Sequence, residues 1–66
     1  MSPISEARRK KIITDWEAAY VAANPGKAPI KMTWSAGWYR AEGSKWRAFD
    51  VELATEVLRG RVRERV

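Results

Sequence analysis

The sequence predicts an α+β domain in which a helix, a three-stranded antiparallel meander and a second helix follow one another (αβββα), with both helices on one sheet face. Apolar residues first recur at the three-and-four spacing of a helix, alternate with polar residues from Ile30, and return to helical spacing after Asp50. With 66 residues the chain has material for one core, so residues 1–66 are expected to form a single small domain.

The first helix is expected to begin near Ser2 or Ser5 and to end at Asn24. Both serines are common helix caps, and Pro3 suits a first helical turn. Asparagine tolerates a left-handed cap, and Pro25 cannot continue a helix. The predicted buried face consists of Ile12, Ile13, Trp16, Ala19, Tyr20 and Ala23.

Three strands are predicted over residues 30–35, 38–42 and 45–49, because Ala36-Gly37 and Gly43-Ser44 both resemble two-residue turns. A primed turn at the first position requires an alanine with positive φ. A three-residue loop with a bulge is the alternative there, and it would change the first strand pairing.

The two turns set the pairing of the strands. The first turn pairs Trp34 with Tyr39, and the second pairs Ala41 with Trp46 and Tyr39 with Ala48. The face predicted to join the core carries Met32, Trp34, Tyr39, Ala41, Trp46 and Ala48. The opposite face, here named the outer face, is predicted to carry Lys31, Thr33, Trp38, Arg40, Glu42, Lys45 and Arg47.

The second helix is expected to begin with Asp50 as its cap. Its predicted apolar stripe consists of Val51, Ala54, Val57, Leu58 and Val62. Gly60 weakens this helix, so its end is expected to fray. Arg59, Arg61, Arg63 and Arg65 lie where the helix dipole favours cations, which explains them without a binding role. Trp16, Trp34, Trp46 and Tyr20 are expected to form an aromatic core cluster.

Several functional classes are disfavoured by residues that the chain lacks. It has no cysteine and no histidine, so disulfides, thiolate metal sites and imidazole catalysis are excluded. Its carboxylates are scattered, so we expect neither an enzyme nor a bound cofactor or metal. No apolar run approaches the roughly 20 residues of a membrane span, and a cytoplasmic protein is expected. A domain this small buries little surface on folding, so a homodimer is an alternative to the monomer.

A formal net charge of +5, from 13 basic and eight acidic residues, favours a polyanionic partner such as DNA or RNA. On the outer face, Arg40 is expected opposite Arg47, where like charges destabilise the pair unless an anion binds. Trp38 would add a surface for stacking bases, and Lys31 and Lys45 further positive charge. Alternatively, Trp38 folds over a terminus or a helix and the charges only keep the sheet soluble.

A second group of cations, here named the basic segment, consists of Arg8, Arg9, Lys10 and Lys11. Four cations near a helix start conflict with the helix dipole, which marks either a binding site or a frayed end. The alternative is a mobile basic arm, which can still bind a nucleic-acid backbone.

Two resemblances accompany these patterns. Trp16-Glu17 through Tyr20, Asn24-Pro25-Gly26, Gly37-Trp38-Tyr39-Arg40 and Lys45-Trp46-Arg47 resemble segments of small uncharacterised proteins of bacteriophages and prophages, which implies a mobile-element origin. The meander followed by a helix resembles the amino-terminal DNA-binding domains of some tyrosine integrases and the plant ethylene-response DNA-binding domains. That resemblance implies that Trp38, Arg40, Lys45 and Arg47 occupy strand positions that enter the major groove.

Two hypotheses follow from charge and aromatic content. The first is a small phage-type accessory protein that binds nucleic acid mainly through phosphates, using the outer face and the basic segment. The second is a protein-interaction module that docks on an acidic host protein as an inhibitor or adaptor, because Trp, Tyr and Arg are common at interface hot spots.

Overall fold

The structure, a computed structural model, describes residues 5–65, without the side chain of Arg65. Its elements are α1 (Glu6–Ala23), β1 (Thr33–Ser35), β2 (Trp38–Ala41), β3 (Ser44–Trp46) and α2 (Ala48–Arg65). The strands form one antiparallel sheet in the order β1-β2-β3. The predicted αβββα fold class is therefore confirmed.

Helix α1 begins after Ser5, one of the two expected caps. The Ser5 Oγ accepts a hydrogen bond from the backbone N–H of Arg8 at 3.2 Å, which satisfies a donor that the first helical turn leaves unpaired. The other expected start, Ser2-Pro3, lies outside the described residues.

Helix α1 ends at Ala23 with Asn24 as its C-cap, but the geometry of this cap differs from the expected one. Asn24 has φ −130°, so the expected left-handed cap is wrong. Instead, its backbone N–H and its side-chain amide each donate to the Tyr20 carbonyl at 3.0 Å. The left-handed conformation falls two residues later, at Gly26, with φ 87°.

The strands are shorter than predicted. β1 begins at Thr33 rather than at residue 30, because the N–H of buried Met32 donates to Glu17 Oε2 on α1 at 2.8 Å rather than to a neighbouring strand. β3 ends at Trp46 because α2 begins at Ala48. The first stretch of predicted strand is therefore a connection attached to the helix.

The turn between β1 and β2 is the predicted two-residue turn. Ala36 and Gly37 have φ 52° and 82°, the two positive values that a type I′ turn requires. The pairing of Trp34 with Tyr39 is confirmed.

The turn between β2 and β3 lies one residue earlier than predicted. Glu42 and Gly43 adopt φ 51° and 77°, which gives Gly43 the second turn position and leaves Ser44 to start β3.

The pairing between β2 and β3 differs accordingly. Tyr39 pairs with Trp46, so the predicted pairs Ala41–Trp46 and Tyr39–Ala48 are wrong. Arg40 faces Lys45 rather than Arg47. Because the register changes by two residues, the alternation between inner and outer faces is kept.

Helix α2 begins two residues before the expected cap. The Arg47 carbonyl accepts the first helical hydrogen bond, from Val51, at 3.1 Å. Asp50 accepts from the Arg47 N–H at 3.3 Å, as the third helical residue does in a capping box. Asp50 is therefore in the first turn and is not the N-cap, and Phe49 becomes helical.

The core lies between the helices and the inner sheet face. Its buried members are Ile12, Trp16, Ala19, Ala23, Met32, Tyr39, Ala41, Val51 and Leu58. Trp16 stacks on Tyr20 with ring centroids 5.5 Å apart and lies 6.5 Å from Trp46, which confirms three members of the aromatic cluster. The fourth, Trp34, is 41% exposed, and Val57 of the predicted stripe is 52% exposed, so neither belongs to the core.

Tyr39 is the most deeply buried aromatic residue of the sheet, with 1% of its surface exposed. Its hydroxyl has no hydrogen-bond partner among the described residues. Burial raises the pKa of Tyr39 above its ordinary value, because the phenolate would lose its hydration. Tyr39 is therefore uncharged at neutral pH, and its ring packs in the core between the sheet and the helices.

Candidate nucleic-acid interface

The outer face presents a row of side chains across all three strands. Thr33 pairs with Arg40, and Arg40 pairs with Lys45, so these three side chains point to the same side of the sheet. All three are exposed. Arg40 and Lys45 are like charges directly opposite each other, which is the unfavourable arrangement that the sequence predicted for a different pair.

A second group on the outer face is built around Trp38. The Arg47 guanidinium carbon lies 3.8 Å from the centroid of the Trp38 ring, and the Lys45 Nζ lies 4.6 Å from it. Both distances are within the range of cation–π attraction. The ring is half-buried between these two cations, whereas the sequence predicted an exposed ring or one folded over a terminus or a helix.

Arg47 is held by the turn between β1 and β2. Its Nη1 donates to the Gly37 carbonyl at 2.9 Å. A Cβ placed on Gly37 would lie 3.0 Å from this nitrogen, so the glycine leaves space for the guanidinium. Since Gly37 also has positive φ, the turn fixes both the strand pairing and the position of Arg47.

Lys31 joins the outer face at a shallow hollow of about 520 Å³ near the β2–β3 turn. The hollow is also lined by Arg40, Lys45 and one acid, Glu42. Among the described residues, Lys31, Arg40 and Lys45 form no ion pair with a carboxylate. An anion placed here would meet three cations whose charge is not already neutralised by a carboxylate.

The basic segment lies within helix α1, and within the described part of the chain Arg8, Lys10 and Lys11 form ion pairs with acids. Arg8 pairs with Glu52 of α2 at 3.3 Å. Lys10 pairs with Glu6 at 3.6 Å, and Lys11 pairs with Asp15 at 2.8 Å, both one helical turn apart. The basic segment therefore contributes less uncompensated charge than the sequence suggested.

Asp15 connects the two helices. It lies 2.8 Å from Lys11 Nζ and 3.9 Å from Arg59 Nη2 of α2. The hydrogen bond from Lys11 lowers the pKa of this carboxyl below its ordinary value, and the charges of Lys11 and Arg59 add to that effect. The positive charge of Lys11 is thus paired with the Asp15 carboxylate.

Arg9, the remaining member of the basic segment, lies against the sheet. Its guanidinium carbon is 4.0 Å from the centroid of the Trp34 ring. Both residues line a hollow of about 470 Å³ together with Gly37, Arg47 and Phe49. The structure therefore brings Arg9 near the Arg47 end of the outer face, whereas Arg8, Lys10 and Lys11 lie among acids.

Two features of this surface were missed by sequence reasoning. Trp34 was expected in the core, yet it presents an aromatic surface beside Arg9. Phe49, assigned to a strand, is 74% exposed at the start of α2. Phe49 and Leu53 are four residues apart, which would have predicted that they share one side of a helix. That prediction requires a helix that begins before residue 50.

Comparisons with protein-family models, with curated proteins and with solved structures give no match to this chain. Within residues 5–65, no helix combines the length and apolar character needed to cross a membrane. The same residues contain no cluster of three or more metal-ligating side chains.

Proposed function

We propose that this chain is a small, non-enzymatic accessory protein of the phage type that works in the cytoplasm and binds DNA or RNA mainly through phosphates, using the outer face. The observation that carries the proposal is the exposed set of Lys31, Arg40 and Lys45, which have no acidic partner among the described residues. Positive charges of this kind release counterions when they contact phosphates, which drives binding. The phage-type assignment rests on sequence resemblance alone.

The surroundings of these cations favour a flexible polyanion over a small anion. The hollow that contains them is shallow and open, so an extended backbone, here called the track of the ligand, can lie along it, whereas a small anion would not be enclosed. Trp38 lies beside the track, with Arg47 and Lys45 over its ring. An aromatic ring between cations can exchange one of them for a base while the displaced cation contacts the adjacent phosphate.

Salt-dependent binding of short labelled single-stranded and duplex nucleic acids, followed by fluorescence anisotropy, tests the proposal. If Lys31, Arg40, Lys45 and Arg47 each contact one phosphate, log affinity for duplex DNA falls against log salt with a slope of about −3.6. For single strands the corresponding slope is about −2.8. Absence of binding to all of them at low salt would overturn the proposal and leave docking on an acidic protein as the better hypothesis.

A further inference from the structure

Helix α2 presents a row of apolar residues that faces away from the core. This row, here named the stripe, differs from the apolar stripe that the sequence predicted to be buried. Phe49, Leu53 and Val57 follow one another at intervals of four residues and are 74%, 55% and 52% exposed. Residues four apart lie on one side of a helix, so these three form a continuous ridge. Contiguous exposed apolar surface of this kind is common at interaction sites.

A groove of about 490 Å³ runs beside this stripe. Leu53 and Val57 form one wall, and Trp16, Tyr20 and Trp46 contribute aromatic surface to it. Asp50 and Arg61 also line the groove. They are 11 residues apart, close to three helical turns, so they lie on the same flank of α2.

The charge of α2 differs from that of the remaining chain. α2 contains four acids and four arginines, namely Asp50, Glu52, Glu56, Glu64, Arg59, Arg61, Arg63 and Arg65. The helix is therefore neutral, and the rest of the chain carries the whole net charge of +5. Glu52 and Glu56 already form ion pairs with Arg8 and Arg59. Among the described residues, Asp50 near the start of α2 and Arg61 and Arg63 near its end form none. Charge attraction between two copies of α2 therefore favours antiparallel packing.

We propose that the stripe of α2 binds a second copy of this chain, forming a two-fold symmetric dimer in which the two α2 helices pack antiparallel. In a symmetric antiparallel pair, residues on the same flank face each other. Packing Leu53 on the partner's Val57 brings Asp50 within one residue of the level of the partner's Arg61, and symmetry repeats both contacts. One alignment thus joins the apolar stripe and completes two charge pairs.

The occupant is a second copy because this surface complements itself. A strongly acidic partner would meet Asp50 and Glu56 beside the stripe, whereas antiparallel α2 offers a matching positive end. The dimer uses residues separate from Arg40, Lys45 and Lys31, so it is independent of nucleic-acid binding.

Sedimentation equilibrium of the full chain in nucleic-acid-free buffer tests this proposal. The wild type is expected to approach twice the 7.6 kDa of one chain as its concentration rises from micromolar to millimolar. Leu53→Glu places a charge in the stripe and is expected to weaken the dimer at least tenfold. Val21→Glu is the matched control, since Val21 is 46% exposed on α1, and its dimer is expected to equal that of the wild type.

Disulfide formation tests the orientation, because the chain has no cysteine of its own. A mixture of Leu53→Cys and Val57→Cys chains is expected to form the mixed disulfide rapidly. Phe49→Cys alone is expected to remain reduced, since antiparallel packing separates the two thiols by about 12 residues, or roughly 18 Å along the helices. A monomer at every concentration, a Leu53→Glu dimer as strong as the wild type, or rapid Phe49→Cys disulfide formation would each overturn the proposal.

Discussion

The outer face and the basic segment both concentrate positive charge, but they differ in what surrounds it. Arg8, Lys10 and Lys11 lie 2.8–3.6 Å from carboxylates. Arg40 instead faces Lys45 across the sheet, and neither has a carboxylate partner among the described residues. We therefore expect pairing with acids, rather than the number of cations, to determine which of the two surfaces binds an anion.

Trp38→Ala is expected to have the largest effect on binding. The substitution removes the ring on which a base would stack and around which Arg47 and Lys45 are held. Affinity for single strands is expected to fall by about 1–3 kcal/mol, with little change in salt slope because stacking releases no counterions. Fluorescence anisotropy at several salt concentrations measures both quantities. Trp34→Ala, which removes the ring beside Arg9, provides the comparison, and an equal loss there would contradict the central role of Trp38.

Gly37→Ala tests whether the turn between β1 and β2 determines the position of Arg47. Alanine at φ 82° costs about 1–2 kcal/mol, and its Cβ displaces the Arg47 guanidinium. Gly43→Ala is the control matched for backbone strain, since φ is 77° there. Gly43 lines the hollow beside Arg40 and Lys45, but no atom lies within 4 Å of the added Cβ. Thermal unfolding is expected to show similar losses for both variants, whereas only Gly37→Ala weakens nucleic-acid binding. Equal binding by the two variants would contradict a role for the Gly37–Arg47 contact in binding.

Arg40→Glu is expected to move stability and binding in opposite directions. It replaces a like-charge pair with an attractive pair to Lys45, which raises the free energy of unfolding by about 0.2–1 kcal/mol. It also reverses a charge on the outer face and therefore weakens binding. Urea denaturation and anisotropy measure the two effects, with Arg40→Gln expected to lie between. A destabilised Arg40→Glu variant would mean that Arg40 supports the fold through another contact.

The smallest expected effect is on the pKa of Asp15, which tests whether Lys11 of the basic segment is paired with this carboxylate. Its pKa in the folded chain lies below 3.8, so its contribution to stability is present above pH 3.8 and is lost as the pH falls through the folded pKa. Carboxyl NMR titration is expected to show this low pKa in the wild type and in Lys10→Ala. In Lys11→Ala the pKa is expected to rise toward 3.8. An unchanged pKa in Lys11→Ala would contradict the assigned ion pair.

Local patterns were sufficient to predict the order of the elements and the inner and outer sheet faces. The register of β3 was not predictable from them, because Glu42-Gly43 and Gly43-Ser44 both contain a glycine suited to a tight turn. The choice between them depends on where α2 begins. A start at Ala48 ends β3 at Trp46, and the capping contact from the Arg47 N–H to Asp50 accompanies this start.

The candidate site was predictable in composition but not in its electrostatic pairing. Alternation along the strands placed Trp38, Arg40 and Lys45 together correctly. Compensation of the basic segment was only partly visible, since spacing reveals Lys11 with Asp15 but not Arg8 with Glu52, which are 44 residues apart. Such long-range pairs depend on how the helices pack, which local periodicity does not determine.

The most direct test compares two variants that remove the same amount of charge. Arg40→Ala/Lys45→Ala acts on the outer face, and Lys10→Ala/Lys11→Ala acts on the basic segment. For duplex DNA, the salt slope is expected to flatten by about 1.8 in the first variant, which loses two phosphate contacts. In the second it is expected to remain close to that of the wild type, because those lysines are paired with Glu6 and Asp15. Equal flattening in both variants would contradict the account, since net charge alone would then explain binding.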